Sequence, residues 1–341
     1  MQVRRDKKMP LALYNDSEPA IISQAYPVFE ISDTSQLLPE YLMMWFTRSE
    51  FDREACFHAV GGVRGSLEWE DFCGMQLPIP SLEKQQEIVR EYHTIQNRIA
   101  LNNQLISKLE ETAQAIYKQW FVEFEFPFVT SSGVEMPYKS NGGKMIWCEE
   151  LEKEIPEGWT DITLREISTC LDFKRRPLSQ EERELRKGVY PYYGAMSIVD
   201  YVDDYLYDGD YLLFSEDGAN IIDENGYPAI QFVWGKFWLN NHSHILDGKG
   251  FISIQFLFNS LLKTNVSDIV TGAAQPKINQ QNMNGIRLLI GNEIIHVAFN
   301  RTIAPFYKLL KNCKEQNQKL GELKELLLAR MTKVEAKVEN I

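Results

Sequence analysis

The sequence predicts an α+β protein in which two strand-rich globules are each followed by a long heptad helix. The two helices are expected to pair as an antiparallel coiled coil. Two observations predict this fold class. Apolar residues recur three and four positions apart over two segments of about 40 residues, and the second segment repeats the first after a shift of 211 residues. With 341 residues, the chain is long enough for each globule to bury its own core.

The first heptad helix is predicted to run from about Leu82 to about Glu125, because its spacing alternates between four and three residues without interruption. Its seam consists of Ile88, Tyr92, Ile95, Ile99, Asn102, Ile106, Leu109, Ala113, Ile116 and Trp120. The seam of the second helix consists of Phe299, Ile303, Phe306, Leu310, Cys313, Asn317, Leu320, Lys324, Leu327 and Met331. A helix of this length would extend about 60 Å and act as a spacer.

One antiparallel register places the two polar seam positions opposite each other. It sets Asn102 against Asn317 and Ile88 against Met331. A buried asparagine pair commonly fixes the register of a coiled coil at some expense in stability. We therefore expect these two side chains to be in contact.

The segments before the helices also repeat. "GSLEWEDFCGMQLPI" matches "PKINQQNMNGIRLLI" with the same shift, and "LPEYLMMWF" matches "FISIQFLFN" with a slightly different one. Farther upstream, "AIISQAYPVFEI" and "FWLNNHSHIL" both have the composition of strands in an antiparallel sheet. Each unit is thus expected to contain strands, a short helix, a loop and a long helix.

The two globules differ at their beginnings. The second opens with "IPEGWTDITLREI" and "YPYYGAMSIVDYVDDYLYDGDYLLFSEDG", whereas the first has no such opening, so it is expected to lack its N-terminal portion. Between the units, "PFVTSSGVEMPYKSNGGKMIW" is rich in Gly, Ser and Pro and is predicted to be a linker.

Composition limits the function classes. The formal net charge of −12 argues against a protein that coats nucleic acid by itself, although local basic segments exist. No phosphate-binding loop and no N-P-P-[YF] methyltransferase motif is present. The five cysteines have no paired spacing, and no segment is typical of a signal peptide or a membrane helix, which favours the cytoplasm.

Two groups of residues are candidates for binding. His242 and His244 would share one face of a strand, as metal ligands do, but hydrogen-bonded structural histidines are the favoured interpretation because no third ligand is near in sequence. The basic run Lys174, Arg175 and Arg176 could contact phosphates or guanine edges, or could be a solvated loop.

Several motifs together resemble the specificity subunit of type I restriction–modification systems. They are the "PIPSLEKQQEIV" junction, "GGVRGSLEWEDF" before it, "IPEGWTDITLREI", and "YPYYGA", "YLYDGDYLLFSEDGANI" and "GKFWLNNHSHIL" in that order. The resemblance covers essentially the whole chain. It implies that each globule is a target-recognition domain reading half of a bipartite site in double-stranded DNA, while the paired helices space the half-sites and dock methyltransferase subunits.

The resemblance also implies where the chemistry lies. This chain would carry no cofactor and no catalytic site, while S-adenosylmethionine, ATP and Mg are expected in the methyltransferase subunits and in a restriction/translocase subunit. The implied domains are the C-terminal part of the first recognition domain (1–81), the first spacer helix (82–126), a linker (127–154), the second recognition domain (155–291) and the second spacer helix (292–338).

By their place in the unit, ten residues are candidate DNA contacts. Those in the second domain are Lys174, Arg175, Arg176, Tyr192, Tyr193, Gln275 and Lys277, and those in the first are Arg4, Arg5 and Arg64. The incomplete first domain leaves four alternatives: a subunit reading only a half-site, a chain completed by a second copy, a silent cassette for domain exchange, or a misassigned start with further sequence upstream. A structural or interaction protein without DNA binding is the alternative from a different class.

Overall fold

The computed structural model describes residues 1, 3–4, 6–24, 26–59, 65–130, 133–195, 197–272, 275–331 and 337–340. The α-helices are α1 (Pro39–Phe46), α2 (Ser49–His58), α3 (Trp69–Gly74), α4 (Leu82–Tyr117), α5 (Leu164–Ile167), α6 (Gln180–Leu185), α7 (Ile254–Leu261), α8 (Gln280–Asn284) and α9 (Glu293–Arg330). A π-helical turn, Lys118–Val122, continues α4. No helix in the described part of the chain is long and apolar enough to cross a membrane.

The strands complete an α+β fold, as predicted. They are β1 (Gln76–Ile79), β2 (Pro127–Val129), β3 (Glu135–Pro137), β4 (Met145–Cys148), β5 (Lys153–Pro156), β6 (Thr160–Thr163), β7 (Ser168–Cys170), β8 (Lys187–Tyr193), β9 (Ile198–Val202), β10 (Tyr207–Ser215), β11 (Ile230–Leu239), β12 (Ser243–Gly248), β13 (Arg287–Ile290) and β14 (Lys337–Asn340). The chain divides into two compact units, Met1–Ile106 with Lys311–Ile341, and Ser107–Leu310.

The internal repeat is present in the structure. Strands β1 and β13 begin and end 211 residues apart, and α4 and α9 both begin three residues after them, at Leu82 and Glu293. Helices α1 and α7 correspond to the repeated "LPEYLMMWF" and "FISIQFLFN" segments. The repeated sequence therefore forms the same local succession of short helix, strand and long helix twice.

The first unit is built mainly from helices in its described residues. Its core contains Tyr41, Phe51 and Phe72 from α1, α2 and α3, together with Ile88 from α4 and Met331 after α9. Strand β1 pairs antiparallel with β14, and Ile79 lies opposite Lys337.

The strand predicted at "AIISQAYPVFEI" is not formed by the described residues of this segment, and Ile21 is fully exposed. In the second unit, the matching "FWLNNHSHIL" segment forms the end of β11 and the start of β12. There it pairs with β10, and the described part of the first unit contains no equivalent of β10. Strand propensity alone does not form a strand where no pairing partner exists.

The second unit contains a six-stranded sheet with strand order β7-β12-β10-β11-β8-β9. Helix α7 packs against the sheet, and its Phe256 and Leu257 are fully buried. Ahead of the sheet, Thr163 and Glu166 form a capping box at the start of α5, in which Glu166 Oε2 accepts from the Thr163 backbone N–H at 3.0 Å.

The segment predicted to be a linker folds as two hairpins, β2 with β3 and β4 with β5. Aromatic residues in the segment and on both sides of it explain why. The ring of Phe126 stacks on Tyr138 at 4.5 Å and on Trp159 at 5.4 Å between centroids. Burying this aromatic surface compensates for ordering a segment whose Gly and Ser content favours flexibility.

The long helices pair within each unit in the register derived from the seams. In the first unit, Asn102 Nδ2 donates to Asn317 Oδ1 at 2.9 Å, and Asn317 Nδ2 donates to Asn103 Oδ1 at 2.8 Å. In the second unit, the rings of Trp120 and Phe299 lie 5.7 Å apart. The remaining predicted seam residues are also buried or half-buried: Ile88, Tyr92, Ile95, Ile99, Ile106, Leu109, Ala113, Ile116, Ile303, Phe306, Leu310, Cys313, Leu320, Lys324, Leu327 and Met331.

Candidate nucleic-acid interface

Four loop segments of the second unit come together where β10 ends and β12 begins. We call them the loop cluster, and they are residues 171–176, 216–218, 240–242 and 275–277. Strand β10 ends at Ser215 and β12 begins at Ser243, and these two residues are paired in the sheet. Backbone bonds join the loops: Glu216 N–H donates to His242 O at 2.9 Å, and Gly218 N–H donates to Pro276 O at 3.3 Å. Segments far apart in sequence thus form one continuous surface.

An ion-pair network lies beneath this surface. Arg175 donates through Nη1 to Glu216 Oε2 at 2.7 Å and through Nη2 to Asp172 Oδ2 at 3.0 Å. His244 Nδ1 lies 2.5 Å from Asp172 Oδ2, and Lys277 Nζ lies 2.9 Å from Glu216 Oε1. Two carboxylates therefore hold three basic side chains from three different loops or strands.

The network keeps its acidic members ionised. Burial alone would raise the pKa of Asp172 and Glu216, but hydrogen bonds from the basic partners outweigh it. The His244 bond lowers the pKa of Asp172, and the Arg175 and Lys277 bonds lower that of Glu216. The Glu216 carboxylate in turn raises the pKa of Lys277, so the lysine stays charged.

Four of the predicted DNA contacts are exposed on the loop cluster: Lys174, Arg176, Gln275 and Lys277. Side chains of these types can donate to phosphates, and Lys, Arg and Gln can also bind base edges in the major groove. The structure thus brings together residues separated by about 100 positions in the sequence.

Arg175 does not belong with them. Its guanidinium is half-buried and also donates to the carbonyl oxygens of Asn241 and Ser243, at 3.3 and 2.8 Å. With its donors bound to protein acceptors, Arg175 crosslinks the loops and is not available to reach a base.

The prediction for Tyr192 is wrong, because its side chain is only 1% exposed. Its hydroxyl accepts a hydrogen bond from the Leu178 backbone N–H at 2.9 Å, so it belongs to the core beneath the loops. Tyr193 is half-buried against Phe237, with centroids 5.4 Å apart, and burial raises its pKa to about 12. The "YPYY" strand therefore supports the loop cluster from within.

The candidates in the first unit are less well placed. Arg4 is exposed and pairs with Asp6 at 3.3 Å. Arg5 and Arg64 lie outside the described residues. The described part of the first unit thus presents a single cation of the predicted set, and that cation already has an acidic neighbour.

Hydrogen bonds account for both histidines that were considered as metal ligands. His242 Nδ1 lies 2.7 Å from Asp217 Oδ1, while the ring nitrogens of buried His244 face Asp172 and the Ile278 carbonyl oxygen. Cys170, Asp172 and His244 do place possible ligand atoms within 4.8 Å of one another.

Two observations oppose metal binding at that cluster. Burial and the nearby Asp172 charge raise the pKa of the Cys170 thiol to about 11, which disfavours the thiolate that a metal requires. Arg175 also occupies the same Asp172 oxygen. The arrangement is that of structural histidines, as favoured from the sequence.

Sequence reasoning missed two members of the loop cluster. Phe173 is 78% exposed, and Lys174 Nζ lies 5.8 Å from its ring centroid. An apolar ring within the basic run "LDFKRRP" was a signal that could have identified it. The bridging role of Glu216 had no sequence signal, since "SEDG" is typical of an ordinary acidic turn.

Comparisons with known proteins agree with the resemblance seen in the motifs. The family model of the type I restriction modification DNA specificity domain matches residues 11–111 and 156–331. A putative type I restriction enzyme specificity subunit, S.HindORF215P of Haemophilus influenzae, is 38% identical over 81 residues, which are 24% of this chain and 20% of that protein. The chain is similar to only this fraction of that relative's length.

Longer matches are more divergent. The MjaIX specificity subunit of Methanocaldococcus jannaschii is 22% identical over 327 residues, covering 89% of this chain and 71% of that one. The crystal structure of a type I restriction–modification S subunit from M. genitalium has a similar fold, with a TM-score of 0.52 at 16% identity over 88% of this chain and 74% of that chain. Since the family model matches most of the sequence, the chain belongs to the type I restriction–modification DNA specificity family.

Proposed function

We propose that this chain is the non-catalytic DNA-recognition subunit of a type I restriction–modification complex. The loop cluster of the second unit carries the proposal. Its exposed side chains lie above loops that internal ion pairs hold together, and they are those of Lys174, Arg176, Gln275 and Lys277. Rigidly placed donors of both cationic and amide type suit direct readout of double-stranded DNA, since phosphate contacts orient the protein and base contacts specify the sequence.

The second unit reads one half of the target, because it contains the complete six-stranded sheet and the loops that the sheet positions. Exposed Lys174 and Arg176 would set the affinity through phosphates, while Gln275 and Lys277, exposed on the adjoining loop, would contact base edges. The overall negative charge fits this division, since non-specific attraction to DNA stays weak outside the loop cluster.

The partners are methyltransferase subunits, docked on the long helices, and a restriction/translocase subunit. Support comes from exposed leucines on the helices of the first unit: Leu101 and Leu105 one turn apart on α4, and Leu323 and Leu326 on α9. S-adenosylmethionine, ATP and Mg would be bound by those partners, and the complex would act in the cytoplasm.

Selection from a pool of random duplexes, with the full chain and the methyltransferase subunit of its own system, tests the proposal. We expect one defined sequence to be enriched. The double variant Lys174→Ala/Arg176→Ala should weaken binding and reduce the slope of log affinity against log salt by up to about 1.8, for two phosphate contacts.

The matched control is Arg165→Ala/Lys249→Ala, which removes the same charge from exposed sites of the second unit outside the loop cluster. It should leave the slope near that of the unmodified chain. A pool that yields no enriched sequence, or equal losses in the two double variants, would contradict DNA reading by this surface.

A further inference from the structure

Glu216 is fixed at the centre of the loop cluster by its own backbone. Its N–H donates to His242 O at 2.9 Å and its carbonyl accepts from the Ile278 N–H at 2.8 Å. It directly follows the last residue of β10, Ser215, which is buried. These backbone hydrogen bonds therefore hold the Glu216 side chain, which is 13% exposed, between the segments 172–176 and 275–277.

The two oxygens of this carboxylate have different partners. Oε2 accepts from Arg175 at 2.7 Å, whereas Oε1 pairs with Lys277 Nζ at 2.9 Å. His244 Nδ1 is farther away, at 3.7 Å from Oε2. Arg175 is nearly as buried as Glu216, but the Lys277 side chain is 46% exposed, so the lysine can be reached by a ligand from solvent.

Pairing with Glu216 changes which groups of DNA Lys277 can bind. A lysine on a flexible stem binds any phosphate within reach, and such contacts carry no sequence information. With Oε1 already at 2.9 Å, a phosphate would have to approach against a carboxylate charge. A guanine edge carries no net charge, so its O6 and N7 acceptors can share the ammonium donors without that repulsion.

We propose that Glu216 is a specificity-determining positioning residue, which holds Lys277 toward a base edge and prevents it from binding phosphates indiscriminately. The inference rests on the proposed DNA-recognition function. In this proposal, half-buried Glu216 beneath the basic surface weakens non-specific binding more than it weakens specific binding. Specificity is a difference between two affinities, and it rises when the competing one falls.

The variant Glu216→Gln tests this, because it removes the charge and retains the shape. Binding is measured against the selected duplex and a scrambled duplex over a range of salt concentrations. For the scrambled duplex we expect tighter binding, with a slope steeper by about 0.9, because Lys277 gains one phosphate. The ratio of specific to non-specific affinity should fall several-fold.

Two further variants separate this role from a general structural one. Adding Lys277→Ala to Glu216→Gln should remove the extra slope, since the freed cation is gone. Glu224→Gln removes the same charge from an exposed site in the second unit and should leave both slopes unchanged. The fold should survive Glu216→Gln, since Arg175 keeps its bonds to Asp172 and to the Ser243 carbonyl oxygen.

The outcomes are distinct. If the unmodified chain fails to distinguish the two duplexes, the proposed function itself is wrong. If it distinguishes them but Glu216→Gln leaves the non-specific slope unchanged, or lowers binding to both duplexes equally, then Glu216 is only structural and the inference is overturned. A steeper slope that disappears with Lys277→Ala supports it.

Discussion

At the scale of single residues, the internal repeat allows each buried polar group to be compared with its equivalent. Gln85 and His296 occupy the same repeat position in the first turn of α4 and α9, and both are fully buried. Gln85 Oε1 accepts from the Leu38 N–H at 2.9 Å, and its Nε2 donates to the carbonyl oxygens of Gln36 and Pro80 at 2.7 and 2.8 Å. Neither ring nitrogen of His296 has a hydrogen-bond partner.

The surroundings of His296 explain its titration. The rings of Phe256, Phe121 and Phe251 lie 4.4, 5.1 and 5.3 Å from it, and burial lowers its pKa to about 4. The folded protein thus disfavours the proton that the unfolded chain takes up near pH 6.5, the ordinary pKa of histidine. The stability that neutral His296 contributes to the folded protein is complete above pH 6.5 and is lost as the pH falls toward 4.

We expect His296→Gln to make folding less sensitive to acid. The loss of stability between pH 6.5 and 4 attributable to this histidine is roughly 3 kcal/mol, and the variant should remove it. Urea unfolding at several pH values would measure the effect. His93→Gln is the matched control, because His93 is exposed on α4. Parallel stability curves for the His296→Gln variant and the unmodified chain would contradict this account.

At the scale of elements, the heptad seam determines more than helix formation. Asn102 is 3% exposed, and its side chain donates to Asn317 within a mostly apolar seam. A shift of the helices by one heptad in one direction would place Asn102 against Leu310 and Asn317 against Ile95, and a shift in the other direction would place Asn317 against Leu109. The pair therefore selects one register by making the others unfavourable.

The single variant Asn102→Leu should lower stability by about 1–3 kcal/mol, because Asn317 loses its donor in a half-buried site. Changing both residues to leucine should restore or exceed the original stability while weakening the choice of register. Thermal unfolding measures the first effect, and amide exchange along α4 and α9 measures the second. Equal stability of the Asn102→Leu variant and the double variant would contradict this account, because removing Asn317 should relieve the cost of its unpaired amide.

At the scale of the whole molecule, each unit pairs the strand that precedes one long helix with a strand that follows the other long helix. In the second unit, β13 pairs with β6, which follows α4, and Ile290 lies opposite Thr160. In the first unit, β1 pairs with β14, which follows α9, and Ile79 lies opposite Lys337. Ile79 and Ile290 are repeat equivalents, and each lies opposite the first residue of its partner strand.

Removing residues 337–341 should destabilise the first unit locally. A strand without a partner is not stable in water, so the amides of β1 should lose protection from hydrogen exchange. Strand β13 is an internal control, because its partner β6 is retained. Unchanged protection of β1 in the shortened chain would contradict a stabilising role for β14.

The sequence by itself determined the repeat, the long helices and their register, since these depend on periodicity and on residues at fixed spacing. It also located the basic run at 174–176 and the loop containing Lys277. Only the tertiary structure decided which of these side chains face solvent. Tyr192 is buried by packing, and Arg175 is neutralised by a glutamate 41 residues away. The missing strand in "AIISQAYPVFEI" has the same cause, because pairing partners and charge partners come from distant parts of the chain, which local propensity does not encode.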